Sequence, residues 1–321
     1  MMTSKLLSKT ACVHAAAVIA AVLLAGPARA DGETIAVFTK NQTNPFFEAI
    51  RAGARAAAES MSAKVIQYVP TKPDNISEQT SQVEDVIVRH PDAIVFDPVD
   101  FKAMLPAVDK INAAGIPLVN ITDRLQQGKV VSFIGADDYN VALASAKSLF
   151  EAMGGKGNLV IIEGIKGSIS SNTRGQGMKD ALPLYPNIKL LASQPANMQR
   201  LQALQVMENL LQAYPQIDGV LAANDSMATG VVEALASAGR TALVTGINGS
   251  KEAAEAIKAG TMVSTGVADP FAQGCYGVII ALRFLRHEPT PPEVMLKPVV
   301  ADKSDLKGID VPLDQRTCPA L

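Results

Sequence analysis

The side chains of this sequence that could do chemistry are polar residues that directly follow short apolar runs. They are Lys40 and Asn44 after residues 34–39, Asp123 and Arg124 after 117–121, Asn224 after 219–222, and Asn248 after 243–245. In open α/β sheets, ligands bind outside the carboxyl ends of the strands, so we expect these donors and acceptors to face one cleft. The chemistry they offer is reversible hydrogen bonding to a small molecule.

Motifs for catalysis, metal binding or nucleotide binding are missing from the sequence. The glycines at 175 and 177 lack the full dinucleotide-binding spacing, and no glycine-rich loop ends in Lys followed by Ser or Thr. His90 and His287 have no cysteine or carboxylate at ligand spacing, so a solvated or helix-capping role is favoured for each. No serine lies in a nucleophile-elbow pattern. We expect no enzymatic activity, no metal and no cofactor.

Residues 1–30 have the pattern of a cleavable export signal. Lys5 and Lys9 precede an apolar run at 11–26, and Ala28-Arg29-Ala30 forms a small-residue cleavage pattern before Asp31. A membrane anchor is the alternative, but the apolar run is shorter than the roughly 20 residues of a spanning helix. We predict an exported protein that is not inserted in the membrane.

The charge balance restricts the class of partner. The chain has a formal net charge of −2 and contains no long basic block. This argues against binding to nucleic acid or to a membrane surface. A neutral or weakly charged small ligand fits better.

The elements that would position the polar residues alternate between strand and helix. The predicted strands are 34–39, 64–68, 93–96, 117–121, 130–134, 158–162, 189–193, 219–222, 243–245 and 262–266. Residues 34–39 carry no charge, as expected of a parallel strand buried on both faces, whereas 45–61 place charges along one helical side. Residues 31–321 are too many for one ordinary core, so we predict an α/β fold with two doubly wound parallel-sheet lobes.

Two cysteines follow the predicted signal, Cys275 and Cys318. They could pair in an oxidising compartment, but a free buried Cys275 is equally compatible with the sequence.

The motifs together resemble the periplasmic sugar-binding proteins of the ribose and arabinose type, which deliver monosaccharides to ATP-driven importers. The resemblance covers nearly all of residues 31–321. Its motifs are Asn44-Pro45-Phe46-Phe47, Ile121-Thr122-Asp123-Arg124, residues 164–177, residues 191–196 and Ala223-Asn224-Asp225, in the family's order and at its intervals. Repressors share this fold but carry a DNA-binding module ahead of it, where this chain has an export signal.

The resemblance implies a role for each residue of a sugar site. In the first lobe Phe46 and Phe47 would cover a face of the sugar ring, Asp123 would accept from two hydroxyls and Arg124 would donate a planar fork. Lys40 and Asn44 would complete the first lobe's part of the site. The second lobe would close over the sugar with Asn172, Met198, Asn224 and Asn248.

Simpler interpretations exist for several of these residues. The phenylalanines could have no ligand role and simply pack a helix against the sheet. Asp123 and Arg124 could form a solvated surface pair that contributes little energy. Asn224 could be an ordinary helix N-cap, and Asn248 before a glycine could be an ordinary turn residue.

Departures from the ribose pattern bear on the ligand. Asn172 stands where ribose binders carry an arginine, Met198 where a phenylalanine is usual, Asn248 where an aspartate is usual and Ala268 where a hinge-side glutamine is usual. Lys40 resembles a lysine of the arabinose binders. A neutral pentose, hexose or polyol is the first expectation, and a sugar acid is the alternative.

The resemblance also implies lobe boundaries, a hinge and partners. The N-terminal lobe would comprise residues 31–135 and 269–298, and the C-terminal lobe residues 136–268 and 299–321. Hinge crossings are expected near 135–137, 268–270 and 299–301. The protein would act as a monomer that presents its sugar to an ABC permease with a cytoplasmic ATPase. A receptor that feeds a sensor or chemotaxis partner is equally compatible with the sequence.

Overall fold

The computed structural model describes residues 32–321, so the predicted export signal lies outside the described residues. The strands are β1 Thr34–Phe38, β2 Lys64–Tyr68, β3 Ala93–Phe96, β4 Leu118–Ile121, β5 Ser132–Ala136, β6 Lys156–Glu163, β7 Asn187–Pro195, β8 Gly219–Ala222, β9 Leu243–Asn248, β10 Ser264–Val267, β11 Glu293–Leu296 and β12 Val299–Asp302. The helices are α1 Pro45–Ser60, α2 Ile76–Arg89, α3 Leu105–Ala113, α4 Asp138–Ala152, α5 Ile169–Asp180, α6 Arg200–Ala213, α7 Asp225–Ser237, α8 Lys251–Ala259 and α9 Pro270–Leu285.

The strands form two sheets of six strands within the described chain. The first sheet has the order β11-β5-β4-β3-β1-β2, and the second has the order β12-β10-β9-β8-β6-β7. All pairings in the first sheet are parallel, and in the second only β12 runs antiparallel, against β10. The predicted fold class, two doubly wound α/β lobes, is confirmed. We call the first sheet with α1–α3 and α9 the first lobe, and the second sheet with α4–α8 the second lobe.

The uncharged strand β1 lies between β3 and the edge strand β2, and it is buried on both faces. Ile35 and Val37 pack in one apolar cluster with residues of α1 and α9, whereas Ala36 and Phe38 pack in a second cluster with residues of α2 and α3. Successive side chains of a strand point to opposite faces, so this sequence must be covered by helices on both sides. Because helices cover both faces of the sheet, the carboxyl ends of the strands remain open to a ligand.

Helices α1 and α9 touch through their backbones at two glycines. A Cβ atom on Gly53 would lie 2.0 Å from the carbonyl oxygen of Phe271, and one on Gly274 would lie 2.0 Å from the carbonyl oxygen of Ile50. No side chain fits at either position. The two helices therefore pack closer than any other residue type would permit there.

The chain passes between the lobes three times at the ends of strands: between β5 and α4, between β10 and α9, and between β11 and β12. The first two passages coincide with the expected crossings. The third lies at Lys297 and Pro298, so residues 299–301, which were expected to form it, belong to β12 in the second sheet. Strands β11 and β12 themselves were not predicted, because each is short and Ala301 is the one buried residue of the two strands.

The C-terminal residues depart from the expected lobe assignment. Residues 299–321 were expected with the second lobe, but Leu313 and Cys318 pack against α1 and α9 of the first lobe. Cys318 is bonded to Cys275 of α9, with the two Cα atoms 5.6 Å apart, which resolves the alternatives that the sequence left open. The chain thus crosses between the lobes once more, near Pro312.

Among residues 32–321, no helix combines the length and the apolar character needed to cross a membrane.

Candidate ligand-binding site

A cavity lies between the lobes, where the carboxyl ends of the strands of both sheets meet. Eight of the ten sequence-predicted site residues line it: Lys40, Asn44, Phe46, Phe47, Asp123, Met198, Asn224 and Asn248. Each lobe contributes to the wall. The structure therefore brings together residues that are as far apart in the sequence as Lys40 and Asn248.

Arg124 does not line the cavity, so its predicted place was wrong. Its guanidinium lies over the ring of Phe133, 3.9 Å from the ring centre, and pairs with Glu293 at 2.7 Å. The Arg124 side chain is 44% exposed. Residues 123 and 124 point in opposite directions after β4, and the aromatic and acidic groups of β5 and β11 hold the arginine on the outer surface.

Asn172 does not line the cavity either, and Arg174 takes the place that was predicted for it. Both residues belong to α5, but Asn172 is exposed whereas Ser171 and Arg174 are buried. Positions three apart share a helix face, so the face that carries Ser171 into the cavity also carries Arg174. Arg174 therefore brings a guanidinium to the cavity from the second lobe, two residues after the position where ribose binders carry an arginine.

The guanidinium of Arg174 is held by three partners of the second lobe. Nε donates to Asp138 Oδ1 at 2.7 Å, and Nη1 donates to the carbonyl oxygen of Ala223 at 2.8 Å and to Asn248 Oδ1 at 3.0 Å. Burial raises the pKa of Asp138, although the neighbouring Arg174 opposes that shift. Among the described residues, the hydrogen bonds of Arg174 come from Nε and Nη1, so Nη2 keeps donors for a ligand in the cavity that Arg174 lines.

Lys40 lies among three carboxyl groups of the first lobe. Its Nζ contacts Asp123 Oδ2 and lies 3.6 Å from Asp97 Oδ1, and Asp74 is also close enough to attract it. Burial alone lowers the pKa of Lys40, but the attraction of Asp123 and Asp97 outweighs it and raises that pKa above its ordinary value. Lys40 is therefore a charged, already paired ammonium, and it does not extend to solvent.

Phe46 and Phe47 supply an apolar part of the wall. Their rings meet edge to face with centres 5.2 Å apart, and both side chains are buried in the core cluster that also contains Ile50. The simpler interpretation, packing of α1 on the sheet, is thus correct, and the same rings also border the cavity. Met198 faces the cavity from the second lobe in a left-handed backbone conformation, with φ at 58°.

The asparagines of the wall also organise the backbone. Asn44 Oδ1 accepts from the Phe46 N–H at 3.0 Å, and Asn224 Oδ1 accepts from the Met227 N–H at 2.8 Å, so each caps a helix. The amide nitrogen of Asn224 donates to the carbonyl oxygen of Met198 at 3.2 Å. Helix N-termini carry partial positive charge, so α1 and α7 both direct that charge toward the cavity.

Sequence reasoning missed several residues of the wall, among them Asp74, Asp138 and Gln273. Asp138 follows strand β5, and that position was a usable signal. Asp74 comes from the loop between β2 and α2. Gln273, one turn into α9, donates to the carbonyl oxygen of Ala268 at 2.7 Å, so an amide reaches the wall beside the position where a glutamine was expected.

Comparison with known proteins identifies the class. Residues 35–289 match the model of the periplasmic binding protein domain, and the chain belongs to that family. The ribose import binding protein of Bacillus subtilis is 34% identical over 74% of this chain and 76% of its own length. The D-apiose import binding protein of Actinobacillus succinogenes is 32% identical over 88% of this chain and 92% of its own length.

A solved structure gives the same result for the fold. An ABC transporter periplasmic solute binding protein from Actinobacillus succinogenes, crystallised with bound D-allose, superposes with a TM-score of 0.82 at 36% identity. The match covers 86% of this chain and 99% of that one.

Proposed function

We propose that this protein is an extracytoplasmic receptor that captures an uncharged monosaccharide or polyol between its lobes and delivers it to an ABC importer. The observation that carries the proposal is the cavity itself, in which both lobes present hydrogen-bonding groups beside two phenylalanine rings. A sugar has hydroxyls around its edge and apolar ring faces, and such a wall complements both. The names of the relatives, ribose and D-apiose import binding proteins, support the same class of ligand.

The charges of the wall favour a neutral ligand over a sugar acid. In the described chain the basic residues that line the cavity are Lys40 and Arg174, and the acidic residues that line it are Asp74, Asp123 and Asp138. Each cation already has a carboxylate partner, Asp123 for Lys40 and Asp138 for Arg174. An acidic ligand would have to displace one of those partners or approach the excess of carboxylates.

The proposed roles follow from the donors and acceptors that remain. In the first lobe Asp123 and Asp74 accept hydrogen bonds from sugar hydroxyls. In the second lobe Nη2 of Arg174 donates hydrogen bonds to ring or hydroxyl oxygens. Phe46 and Phe47 cover an apolar face of the sugar. A mismatched hydroxyl leaves a buried group unpaired at a cost of about 1–3 kcal/mol, so the site should discriminate between epimers.

Binding with half of the contacts on each lobe couples occupancy to closure. The lobes would correspond to residues 31–135 with 269–298 and to residues 136–268 with 299–312, which rotate about the crossings. A ligand shifts this equilibrium only through its higher affinity for the closed form, which the second-lobe contacts provide. The closed form is what a permease with a cytoplasmic ATPase would recognise.

The remaining parts of the proposal concern location, assembly and chemistry. Residues 1–30 direct export to the periplasm, where the protein acts as a monomer that binds its ligand without consuming it. A receptor that feeds a sensor or chemotaxis partner would use the same cavity, and it is distinguished only by the protein that binds the closed form.

A ligand screen tests the proposal. Purified protein is heated with D-ribose, D-apiose, D-allose, xylitol, myo-inositol and the acid D-ribonate, and calorimetry follows on each compound that raises Tm. At least one neutral compound should raise Tm by mass action, should bind with one-to-one stoichiometry and should be recovered unchanged. Stabilisation by D-ribonate alone would favour the sugar-acid alternative, and consumption of a sugar would contradict a binding protein.

A further inference from the structure

Asp97 is a buried carboxyl group that lies behind the cavity wall and does not line it. It follows strand β3 directly, its side chain is fully buried, and neither carboxyl oxygen has a hydrogen-bond partner in the described chain. Gln79 fixes the backbone at this point, because its amide nitrogen donates to the carbonyl oxygen of Asp97 at 3.0 Å and its amide oxygen accepts from the Val99 N–H at 2.9 Å. The carboxyl group is therefore held in place without satisfying its own hydrogen-bonding capacity, which is costly.

The nearest cation is the ammonium of Lys40, which lies between Asp97 and the cavity residue Asp123. Nζ of Lys40 contacts Asp123 and lies 3.6 Å from Asp97 Oδ1, less than one ångström beyond hydrogen-bond distance. An ammonium carries three donors, so it can serve both carboxyl groups and a ligand oxygen. Without Asp97, a ligand that competes for Asp123 would leave Asp74, which makes no direct contact with Nζ, as the remaining carboxyl group near the buried ammonium of Lys40.

We propose that Asp97 is a positioning residue that retains Lys40 while Asp123 accepts hydroxyls of the ligand. The proposal rests on the proposed function, since it assigns Asp97 a part in sugar binding through Lys40. Retention by Asp97 lowers the cost of releasing Asp123 and keeps a Lys40 donor directed at the cavity. Burial raises the pKa of Asp97 well above its ordinary value, and the nearby ammonium of Lys40 opposes that shift because it favours the charged carboxylate.

A double-mutant cycle tests this role with Asp97→Asn, Lys40→Met and the combined variant. For whichever of D-ribose, D-apiose, D-allose, xylitol and myo-inositol stabilises the wild type most, Asp97→Asn should weaken binding about tenfold, as expected for one charged hydrogen bond. In the Lys40→Met background the same change should weaken binding less than about twofold, because Asp97 acts through Lys40.

The same four proteins without sugar give a second measurement that does not depend on the ligand. Asp97→Asn should lower Tm when Lys40 is present, and should leave Tm unchanged or raise it in the Lys40→Met background, where the carboxyl group has no cation. Equal effects in both backgrounds, in either measurement, would overturn the role of Asp97. If no sugar binds the wild type, the proposed function fails, and the Tm cycle alone decides whether Lys40 and Asp97 are coupled.

A separate observation concerns the C-terminal strap, by which we mean residues 303–321. Its first part is anchored on the second lobe: Ile309 is buried in a cluster with Ala254 and Val267, and Asp310 accepts from Lys258 Nζ at 2.8 Å. The strap then crosses beside Phe46 and Asn248, where Ile309, Val311 and Leu313 of the strap form one side of a second pocket.

The last part of the strap is anchored on the first lobe. Cys318 is bonded to Cys275 of α9, and the hydroxyl of Tyr276 donates to the carbonyl oxygen of Ala320 at 3.1 Å. Arg316 lies over the ring of Phe271, 4.6 Å from its centre, and donates to Asp269 Oδ1 at 2.9 Å. Asp269 is the N-cap of α9 at the second passage between the lobes, with φ at 35°. Through Arg316 the strap therefore also contacts a hinge residue.

We infer that the strap is a fourth connection between the lobes, covalently locked, which limits how far they open. If the lobes open less, the ligand-free protein stays nearer to the closed form. Ligand binding then needs a smaller shift of population from the open to the closed form. Two release variants test this: Cys318→Ser removes the covalent bond of the first-lobe anchor, and a chain that ends at Pro312 removes the whole anchor. Lys307→Ala is the control, since among residues 32–321 Lys307 pairs only with Asp305, inside the strap.

Small-angle scattering of the ligand-free proteins measures the opening directly. Both release variants should have a larger radius of gyration than the wild type and Lys307→Ala, and should bind the screened sugar several-fold more weakly. If the shortened chain does not fold, Cys318→Ser combined with Arg316→Ala takes its place. Scattering curves identical to the wild type, even with a lowered Tm, would reduce the disulfide to a purely structural role and overturn the inference.

Discussion

Replacing Asp123 by asparagine should separate its role in binding from its role in the fold. Asp123 is buried in the wall, where it contacts Lys40. Two charged hydrogen bonds to ligand hydroxyls would be worth about 3–6 kcal/mol together. Asparagine keeps one acceptor oxygen and loses the charge, so we expect about half of that, about 1.5–3 kcal/mol, to be lost. Sugar affinity should fall roughly 10- to 150-fold.

The stability of the Asp123→Asn variant should fall less than its affinity suggests. Leaving a buried ion without a partner costs roughly 3–5 kcal/mol, but Asp97 remains 3.6 Å from Lys40 Nζ and can take over the ammonium. Urea unfolding of the ligand-free variant should therefore show a loss well below about 3 kcal/mol.

Arg124→Gln is the matched control, because Arg124 is the next residue in the chain but pairs with Glu293 on the surface. An exposed pair contributes about 0–1 kcal/mol, and sugar affinity should not change. Titration calorimetry of both variants decides the matter. An Asp123→Asn variant that binds within about threefold of the wild type, or an Arg124→Gln variant that loses as much affinity, would refute the assignment of the cavity as the sugar site.

Three further predictions follow from the second lobe. Arg174→Met should weaken sugar binding at least tenfold, whereas Asn172→Ala should have no effect in the same calorimetric assay; the reverse order would contradict the corrected site. Asn224→Ala should lower the free energy of unfolding by about 1 kcal/mol through the lost cap and should also weaken binding, which a cap alone would not do. Burial raises the pKa of Asp225 to about 6 against the hydrogen bonds of its partners. The folded state therefore holds that proton more tightly than the unfolded state, and the contribution of Asp225 to stability is largest below pH 4 and declines as the pH rises through 6. Asp225→Asn should remove about 3 kcal/mol of this decline between pH 4 and 7 in urea unfolding; an unchanged slope would contradict the shift.

The parts of the fold that the sequence predicts are those governed by local pattern. Strands β2, β3 and β8 begin and end at the predicted residues, because a compact apolar or β-branched run coincides with the paired segment in each. Strands β11 and β12 are short edge strands whose residues are mostly exposed or half-buried, and pairing with strands that are distant in sequence defines them.

The errors in the predicted site have one physical origin. Position after a strand identifies which loop reaches the cavity, and this placed Lys40, Asn44 and Asp123 correctly. It does not identify which way the second residue of a dipeptide points, so Arg124 was placed inside. In α5 the helical period determines that Arg174, and not Asn172, lies on the buried face. The segment is polar throughout, so its sequence does not show which face is buried.

The backbone contact between α1 and α9 at Gly53 and Gly274 has a consequence for how this protein can change its ligand. The two helices carry cavity groups, Phe46 and Phe47 on one and Gln273 on the other. A methyl group at either glycine would push the helices apart and would move an aromatic wall and an amide relative to each other, with no cavity residue altered. Selection for a new sugar could therefore act on residues that no ligand ever touches.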